Sequence, residues 1–326
     1  MRKPLVAAVF ALALAGAGAA PAVAAGAPAA DPADQTAPAA PASVGKVADT
    51  DTSTSTGSIT STVSDLVTSA TATVGRITQP SAQAVNFAGT VALNNCSGSV
   101  VRMPASADND PALVMTNGHC LESGFPAAGQ VIVDQASSRT FSLLNSAGTR
   151  VATLRASKIS YGTMTDTDVA LYQLTSTYAQ IKSSYGIDAL TLNNARPTAG
   201  TAISVVSGYW KRIYSCNVDG FAYRLKEGDW TWKDSVRYTS ACNTIGGTSG
   251  SPVVDDATGK VVAVNNTGNE DGGRCTLNNP CEVDASGNVT VRQGINYAQE
   301  TYQIPACFGV GNKLDLSASG CILPKP

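Results

Sequence analysis

Short apolar runs separated by turn-forming residues occupy the chain from about residue 87 onward. The runs are rich in β-branched side chains and include residues 90–93, 99–101, 112–115, 131–133, 151–154, 169–172, 202–206, 252–254 and 260–264. Turn-forming pairs such as Asn117-Gly118 and Ser123-Gly124 lie between them. This pattern predicts an all-β sandwich or barrel. The length suits one large β domain or two fused small barrels, and the single helix that we expect lies around residues 295–303.

The first 25 residues have the layout of a secretory signal peptide. Arg2 and Lys3 are positive, residues 5–14 are apolar, and Ala22-Val23-Ala24 provides small residues for cleavage after Ala24 or Ala25. A transmembrane anchor is the alternative. The apolar run is too short for it, and no second stretch of about 18 apolar residues follows. We therefore expect a secreted, extracellular protein that does not span a membrane.

Residues 26–76 are rich in Ala, Pro, Ser and Thr and contain no aromatic residue. Such a stretch buries too little surface to offset the ordering of its backbone. It is predicted to be a low-complexity linker or a cleaved pro-segment, and the sequence does not choose between them. The folded domain is expected to span residues 77–326.

Eight cysteines follow the leader, and the number is even. They are Cys96, Cys120, Cys216, Cys242, Cys275, Cys281, Cys307 and Cys321. In an exported chain this indicates four disulfides. Metal binding is the rival, but there is no Cys-x-x-Cys pair and the chain has one histidine, so no metal site is predicted. The net charge of −2 without a charged block gives no basis for binding nucleic acid or an anionic membrane.

Two motifs carry candidate chemistry. The chain's single histidine lies in Thr116-Asn117-Gly118-His119-Cys120, and a glycine-flanked serine lies in Gly247-Thr248-Ser249-Gly250-Ser251-Pro252. A serine hydroxyl becomes a nucleophile when a base takes its proton, and glycines allow a sharp turn that exposes it. Taken alone, the histidine is more often a surface or core residue, and the serine segment can be a simple turn.

Together with Asp168-Val169-Ala170-Leu171, these segments resemble the three motifs of the chymotrypsin-like serine proteases, in that family's order of His, Asp and Ser. The resemblance covers about residues 77–305 and is greatest to secreted bacterial members, especially those of actinomycetes. It implies two antiparallel six-stranded β-barrels with a cleft between them, followed by a short C-terminal helix. It also implies a secreted, monomeric serine endopeptidase that acts on proteins or peptides without a metal or organic cofactor.

The resemblance assigns a role to each matching residue. Ser249 attacks the carbonyl, His119 accepts its proton, and Asp168 orients the imidazole. The amides of Gly247 and Ser249 form the oxyanion hole. Asp166 competes with Asp168 for the orienting role, and Asp168 is preferred because Val-Ala-Leu follows it directly.

The resemblance also suggests disulfides and a substrate strand. It pairs Cys96 with Cys120. For the rest we prefer Cys216–Cys242, Cys275–Cys281 and Cys307–Cys321, with Cys242–Cys275 as the main competitor. The segment Val264-Asn265-Asn266 resembles the strand that binds substrate backbone by β-addition. Trp210, Trp230 and Trp232 are predicted to pack in the core or in loops rather than to recognise substrate.

The chain departs from the family pattern at Thr248. Many members have Asp there, which pairs with an N-terminal ammonium freed on activation, so no such switch is expected here. Trypsin-like enzymes carry an acidic pocket residue six positions before the nucleophile, and this chain has Asn243 there. The resemblance therefore disfavours a preference for Lys or Arg beside the scissile bond. The rival interpretation is a catalytically silent binding protein on a protease fold, whose usual sign is the loss of a triad residue.

Overall fold

Strand follows strand along residues 84–326, which are the residues that the computed structural model describes. The predicted signal peptide at 1–25 and the pro-segment or linker at 26–76 lie outside them. Between the described strands there is one α-helix, α1 (Tyr178–Tyr185), which begins at a capping box on Thr177 and ends at Gly186. No helix within this part of the chain is long and apolar enough to cross a membrane.

The first eight strands build a closed barrel. They are β1 (Thr90–Ala92), β2 (Ser97–Arg102), β3 (Pro111–Thr116), β4 (Val131–Ala136), β5 (Thr140–Leu144), β6 (Arg150–Thr163), β7 (Val169–Thr177) and β8 (Leu190–Thr191). Six of them pair in the order β1-β5-β6-β7-β3-β2, and pairing of β1 with β2 closes the ring. β4 pairs with the long β6, and β8 runs parallel to β2. Val114, Phe141 and Tyr172 are fully buried inside.

The next eight strands build a second ring. They are β9 (Ala202–Ser207), β10 (Arg212–Glu227), β11 (Trp230–Tyr238), β12 (Pro252–Asp255), β13 (Val261–Gly268), β14 (Cys281–Val283), β15 (Val289–Val291) and β16 (Asn296–Glu300). Six pair in the order β11-β16-β13-β12-β9-β10, and β10 also pairs with β11. β14 and β15 extend from β10. The predicted pair of six-stranded antiparallel barrels is confirmed.

The predicted C-terminal helix is wrong. Residues 296–300 form β16, which pairs with both β11 and β13, and every one of its five residues is buried. Burial on both faces removes the alternation of apolar and polar residues that marks a strand, and Ala, Gln and Glu favour a helix locally. Tertiary pairing overrides that preference, since Gln299 Nε2 donates to Ser235 Oγ at 3.0 Å. The chain then ends in short 3₁₀ turns and a small hairpin, β17 (Phe308–Gly309) and β18 (Lys313–Leu314).

All four predicted disulfides are confirmed. The pairs are Cys96–Cys120, Cys216–Cys242, Cys275–Cys281 and Cys307–Cys321. The competing pair Cys242–Cys275 does not form. Cys96–Cys120 has the most direct bearing on the site, because it joins the residue before β2 to the short 3₁₀ turn Gly118–Cys120 that carries His119.

Candidate active site

His119 and Asp168 meet where two paired strands end. β3 ends at Thr116, β7 begins at Val169, and Thr116 is paired with Ala170, so the residues just beyond these strand ends are neighbours. His119 Nδ1 lies 2.7 Å from Asp168 Oδ2, and the His119 backbone N–H donates to Asp168 Oδ1 at 3.1 Å. Asn117 Nδ2 also donates to the Asp168 carbonyl at 2.8 Å. Both oxygens of one carboxylate therefore hold the histidine.

Gly118 makes this approach feasible. A Cβ atom built at Gly118 would lie 2.1 Å from the Thr163 carbonyl oxygen and 3.1 Å from Asp168 Oδ1. Any side chain at position 118 would push the turn away from the carboxylate. The glycine of the Asn-Gly-His-Cys motif is thus explained by close packing.

The charge around the imidazole favours its protonated form. Burial lowers the pKa of His119, but the negative charge of Asp168 and the hydrogen bond to it raise the pKa, and Glu227 adds to this. The balance leaves the pKa of His119 above its ordinary value of 6.5. The Asp168 side chain has no solvent exposure, whereas that of His119 keeps 18%. A partly accessible imidazole paired with a buried carboxylate is suited to proton transfer.

Asp166, the competitor for the orienting role, lies away from the imidazole. Its backbone has a φ of 58°, and its carboxylate pairs with Lys233. The side chain is 38% exposed. The geometry therefore brings Asp168, and not Asp166, to His119.

Ser249 lies in the loop between β11 and β12, against the first barrel. The Ser97 N–H donates to the Ser249 carbonyl at 2.8 Å. A Cβ atom at Gly250 would lie 2.1 Å from the Ser97 carbonyl oxygen, so only glycine permits this contact. Ser249 and His119 line the same cavity. The Ser249 hydroxyl donates to the Asn266 carbonyl oxygen at 3.1 Å in this structure, rather than to the imidazole.

The loop before Ser249 leaves two amides free. Gly247 has a φ of 86°, and within residues 84–326 neither its N–H nor that of Ser249 donates to a protein acceptor. Trp210 Nε1 donates to the Gly246 carbonyl at 2.7 Å. Because a trans peptide points its C=O and N–H in opposite directions, this bond fixes the Gly247 N–H as well. The Gly247 carbonyl in turn accepts from Ser97 Oγ at 3.2 Å.

Thr248 is held by neutral hydrogen bonds. Its hydroxyl donates to the Ile245 carbonyl at 2.5 Å and accepts from Asn265 Nδ2 at 3.1 Å. Asn265 Oδ1 accepts from the buried Tyr238 hydroxyl at 3.2 Å. These bonds hold the loop in place without an ion pair at Thr248.

The predicted substrate strand is only partly at the cavity. Asn265 and Asn266 line it, but Val264 is fully buried in the core. The Asn265 N–H and carbonyl pair with Ser251 and Gly250, and the register of β13 shifts between Asn265 and Thr267. The edge that borders the cavity therefore begins at Asn266.

Several lining residues were not predicted from the sequence. They include Phe125, Glu227, Trp230, Asn278 and Asn296. A signal that would have found two of them is Glu227-Gly228-Asp229-Trp230, a two-residue turn that places a carboxylate beside an indole.

Asn243, the residue that the sequence analysis related to substrate specificity, is exposed and does not line the cavity, whereas its neighbour Thr244 does. Trp232 is buried in the core as expected, but both it and Trp230 also line the cavity.

The described residues contain one group of three possible metal ligands, Cys96, His119 and Cys120. Its two sulfur atoms are joined in a disulfide, so they offer no thiolate.

The chain is similar to several solved structures of proteases. The active form of the Rv3671c protease from M. tuberculosis is 15% identical with a TM-score of 0.39, the match covering 73% of this chain and 82% of that one. The MamO protease domain from Magnetospirillum magneticum is 14% identical with a TM-score of 0.40, covering 66% and 92%. A Nocardiopsis protease is 12% identical with a TM-score of 0.38, covering 66% and 93%.

No curated protein sequence matches the chain significantly. The model of the family described as "Trypsin-like peptidase domain" matches residues 96–264, just over half of the chain. The matched residues include His119 and Ser249 together with Asp168. The chain therefore belongs to the trypsin-like peptidase domain family, and is a serine-type peptidase whose substrates are peptides or proteins.

Proposed function

We propose that this protein is a secreted endopeptidase that hydrolyses peptide bonds through an acyl-enzyme intermediate. Ser249 is the nucleophile, His119 the general base and acid, and Asp168 the residue that orients the imidazole. One observation supports the proposal most directly. Asp168 contacts both the backbone N–H and the Nδ1 atom of His119, and His119 lines the same cavity as Ser249.

In the proposed reaction, the Ser249 Oγ bonds to the substrate carbonyl carbon while its proton passes to His119 Nε2. The carbonyl oxygen becomes an oxyanion that accepts hydrogen bonds from the Gly247 and Ser249 amides. Collapse of the intermediate breaks the C–N bond, and the imidazolium returns the proton to the leaving amine. Water then attacks the acyl carbon and gives a proton to His119. The bond to Ser249 Oγ breaks, the imidazolium returns the proton to that oxygen, and the acid is released.

The hydrogen bond from Ser249 to Asn266 represents a resting orientation in this proposal. Rotation about the Cα–Cβ bond of Ser249 is the movement that directs the hydroxyl to the imidazole. Hydrogen bonds of catalytic groups are often long or misaligned before substrate binds. Substrate backbone pairing along the edge from Asn266 to Gly268 competes for the Asn266 carbonyl, and so favours that rotation.

The cellular setting is part of the proposal. A leader at residues 1–25 directs export, and four disulfides suit an oxidising exterior. The enzyme acts as a monomer, without nucleic acid or membrane as partner.

Labelling with a fluorophosphonate tests the proposed function. We expect one label per molecule on Ser249, identified by mass spectrometry, together with cleavage of a denatured protein substrate. The same protein without label and without cleavage, although folded, would favour the rival interpretation of a catalytically silent binding protein.

The pH dependence should follow His119. Because the neutral imidazole is the base, kcat/KM falls as pH drops through its pKa. That pKa is raised above 6.5, so the acidic limb should have its midpoint above this value. The measurement is kcat/KM against pH at constant ionic strength with an uncharged substrate. A midpoint well below 6.5 would contradict the assignment of His119 or the influence of Asp168 on it.

Trp210 should contribute by holding the oxyanion hole. Trp210→Phe keeps an aromatic ring but removes the N–H that fixes the Gly246 carbonyl, so we expect kcat to fall about 10- to 100-fold, with little change in KM. Tyr209→Phe is the control, because the Tyr209 hydroxyl makes no hydrogen bond within the described residues. Equal losses in both variants would contradict a specific contribution of the Trp210 N–H.

A further inference from the structure

A buried carboxylate lies in the active-site cavity. Glu227 ends β10, lines the cavity with His119 and Ser249, and is 4% exposed. Its Oε1 accepts from the Asn278 N–H at 2.8 Å. Its Oε2 is buried and makes no hydrogen bond of normal geometry among the described residues, although the neighbouring Thr267 side chain interacts with the carboxyl and lowers its pKa. Burying a charged oxygen without a full set of hydrogen bonds costs free energy. A ligand that donates a hydrogen bond to Oε2 would therefore stabilise this side chain.

The hairpin that carries Glu227 is rigidly placed. Glu227 faces Trp230 across the two-residue turn of β10 and β11, which sets the two side chains on the same face. The Gly228 N–H donates to the Cys275 carbonyl at 2.8 Å, in the loop closed by the Cys275–Cys281 disulfide. Trp230 Nε1 donates to the Pro126 carbonyl at 2.9 Å. The carboxylate is therefore fixed relative to both barrels.

An aromatic wall connects this position to the catalytic imidazole. The Trp230 ring packs edge-on against Phe125 with centroids 5.8 Å apart, and Phe125 packs in the same way against His119 at 5.7 Å. Phe125 is half exposed, so its ring is open to a ligand. Aromatic faces beside a carboxylate form a favourable environment for a cation.

Among the described residues, His119 is the one residue lining the cavity that can carry a positive charge, and it is engaged by Asp168. The cavity lining includes two carboxylates, Glu227 and Glu270, and no Lys or Arg among the described residues. Burial raises the pKa of Glu227, because it penalises the charged form. A cationic ligand would reverse this penalty by stabilising the carboxylate. An acidic side chain of a substrate would be repelled.

We propose that Glu227, with Trp230 and Phe125, forms a subsite that selects a lysine or arginine side chain of the substrate. The selected residue lies on the amino-terminal side of the scissile bond, because a peptide that adds to the edge from Asn266 to Gly268 runs through the same cavity. This inference rests on the proposed endopeptidase function and adds a substrate class to it.

The experiment is a set of peptides that differ at one of the four residues before the scissile bond. Each position carries lysine, acetyl-lysine, norleucine or glutamate in turn, and kcat/KM is measured for the mature enzyme. At one position we expect kcat/KM for the lysine peptide to be about 10- to 100-fold higher than for the norleucine and acetyl-lysine peptides. This is the effect of one charged hydrogen bond in a site shielded from water. Glutamate should be the poorest residue at that position.

Glu227→Gln should reduce this preference to about threefold or less, because an amide keeps the shape and loses the charge. Asp229→Asn is the matched control, since Asp229 is an exposed acid in the same turn. It should keep the preference. Equal reductions in both variants would mean that only the overall charge of the hairpin matters, and would overturn the proposal.

The wild-type series decides the question even if Glu227→Gln does not fold. Cleavage of lysine, acetyl-lysine and norleucine peptides at equal rates at all four positions would overturn the subsite and leave the endopeptidase function intact. Absence of cleavage and of Ser249 labelling with every substrate would overturn both.

Discussion

Replacing Ser249 by alanine should lower kcat/KM for peptide hydrolysis by on the order of 10⁶-fold. The substitution removes the atom that forms the acyl bond, while the oxyanion-hole amides and the substrate edge remain. KM should therefore change little. The measurement is single-turnover hydrolysis of a chromogenic peptide at high enzyme concentration, together with the loss of fluorophosphonate labelling.

Ser251→Ala provides the matched control for this loss. Ser251 lies two residues away, is fully buried, and its hydroxyl has no partner in the described structure. Removing that hydroxyl should leave activity and labelling close to those of the wild type. A Ser249→Ala enzyme that retained about a tenth of the activity would place the nucleophile elsewhere.

Replacing Asp168 by asparagine should lower kcat by about 10⁴-fold. Asparagine preserves the size of the side chain but presents an amide that favours the wrong tautomer of His119 and no longer stabilises its charged form. The charge and the hydrogen bond of Asp168 are what raise the pKa of His119, while burial lowers it. The residual activity should therefore have an acidic limb shifted to lower pH.

Asp166→Asn separates this effect from a general loss of acidic charge. Asp166 pairs with Lys233 and is partly exposed, so its replacement should change kcat by less than about threefold. A large loss in Asp166→Asn combined with a small loss in Asp168→Asn would reverse the assignment. Melting temperatures of both variants show whether either loss is caused by unfolding.

The two candidate motifs around His119 and Ser249 were readable from the sequence because their steric requirements are local. Gly118 and Gly250 sit where a Cβ atom would collide with backbone oxygens, and each lies next to the residue that it serves. The alternation of short apolar runs and turns likewise records the strands of both barrels. The even number of cysteines limited the disulfide pairings, and the preferred set was correct.

The segment at residues 296–300 shows where local reasoning fails. Its composition favours a helix, but it closes the second barrel between two strands that are far away in the sequence. Because both faces of this strand are buried, its sequence lacks the alternation of apolar and polar residues that normally identifies a strand. The helix that does form, α1, is short, and its local signs are the capping box on Thr177 and the glycine at its end, Gly186.

By itself, the sequence determined the all-β architecture, favoured the disulfide pairs that form, and singled out His119 and Ser249 as candidates. The architecture and the turns depend on steric rules that act over a few residues. The His, Asp and Ser motifs were found because they occur in the same order as in the family that the chain resembles. Only the tertiary structure decided between Asp168 and Asp166, since this depends on which carboxylate the end of β3 meets 49 residues away. It also decided the contact of Ser249 with Asn266, the hydrogen bond of Trp210 to Gly246 and the position of Glu227, because each arises from contacts between segments that packing alone brings together.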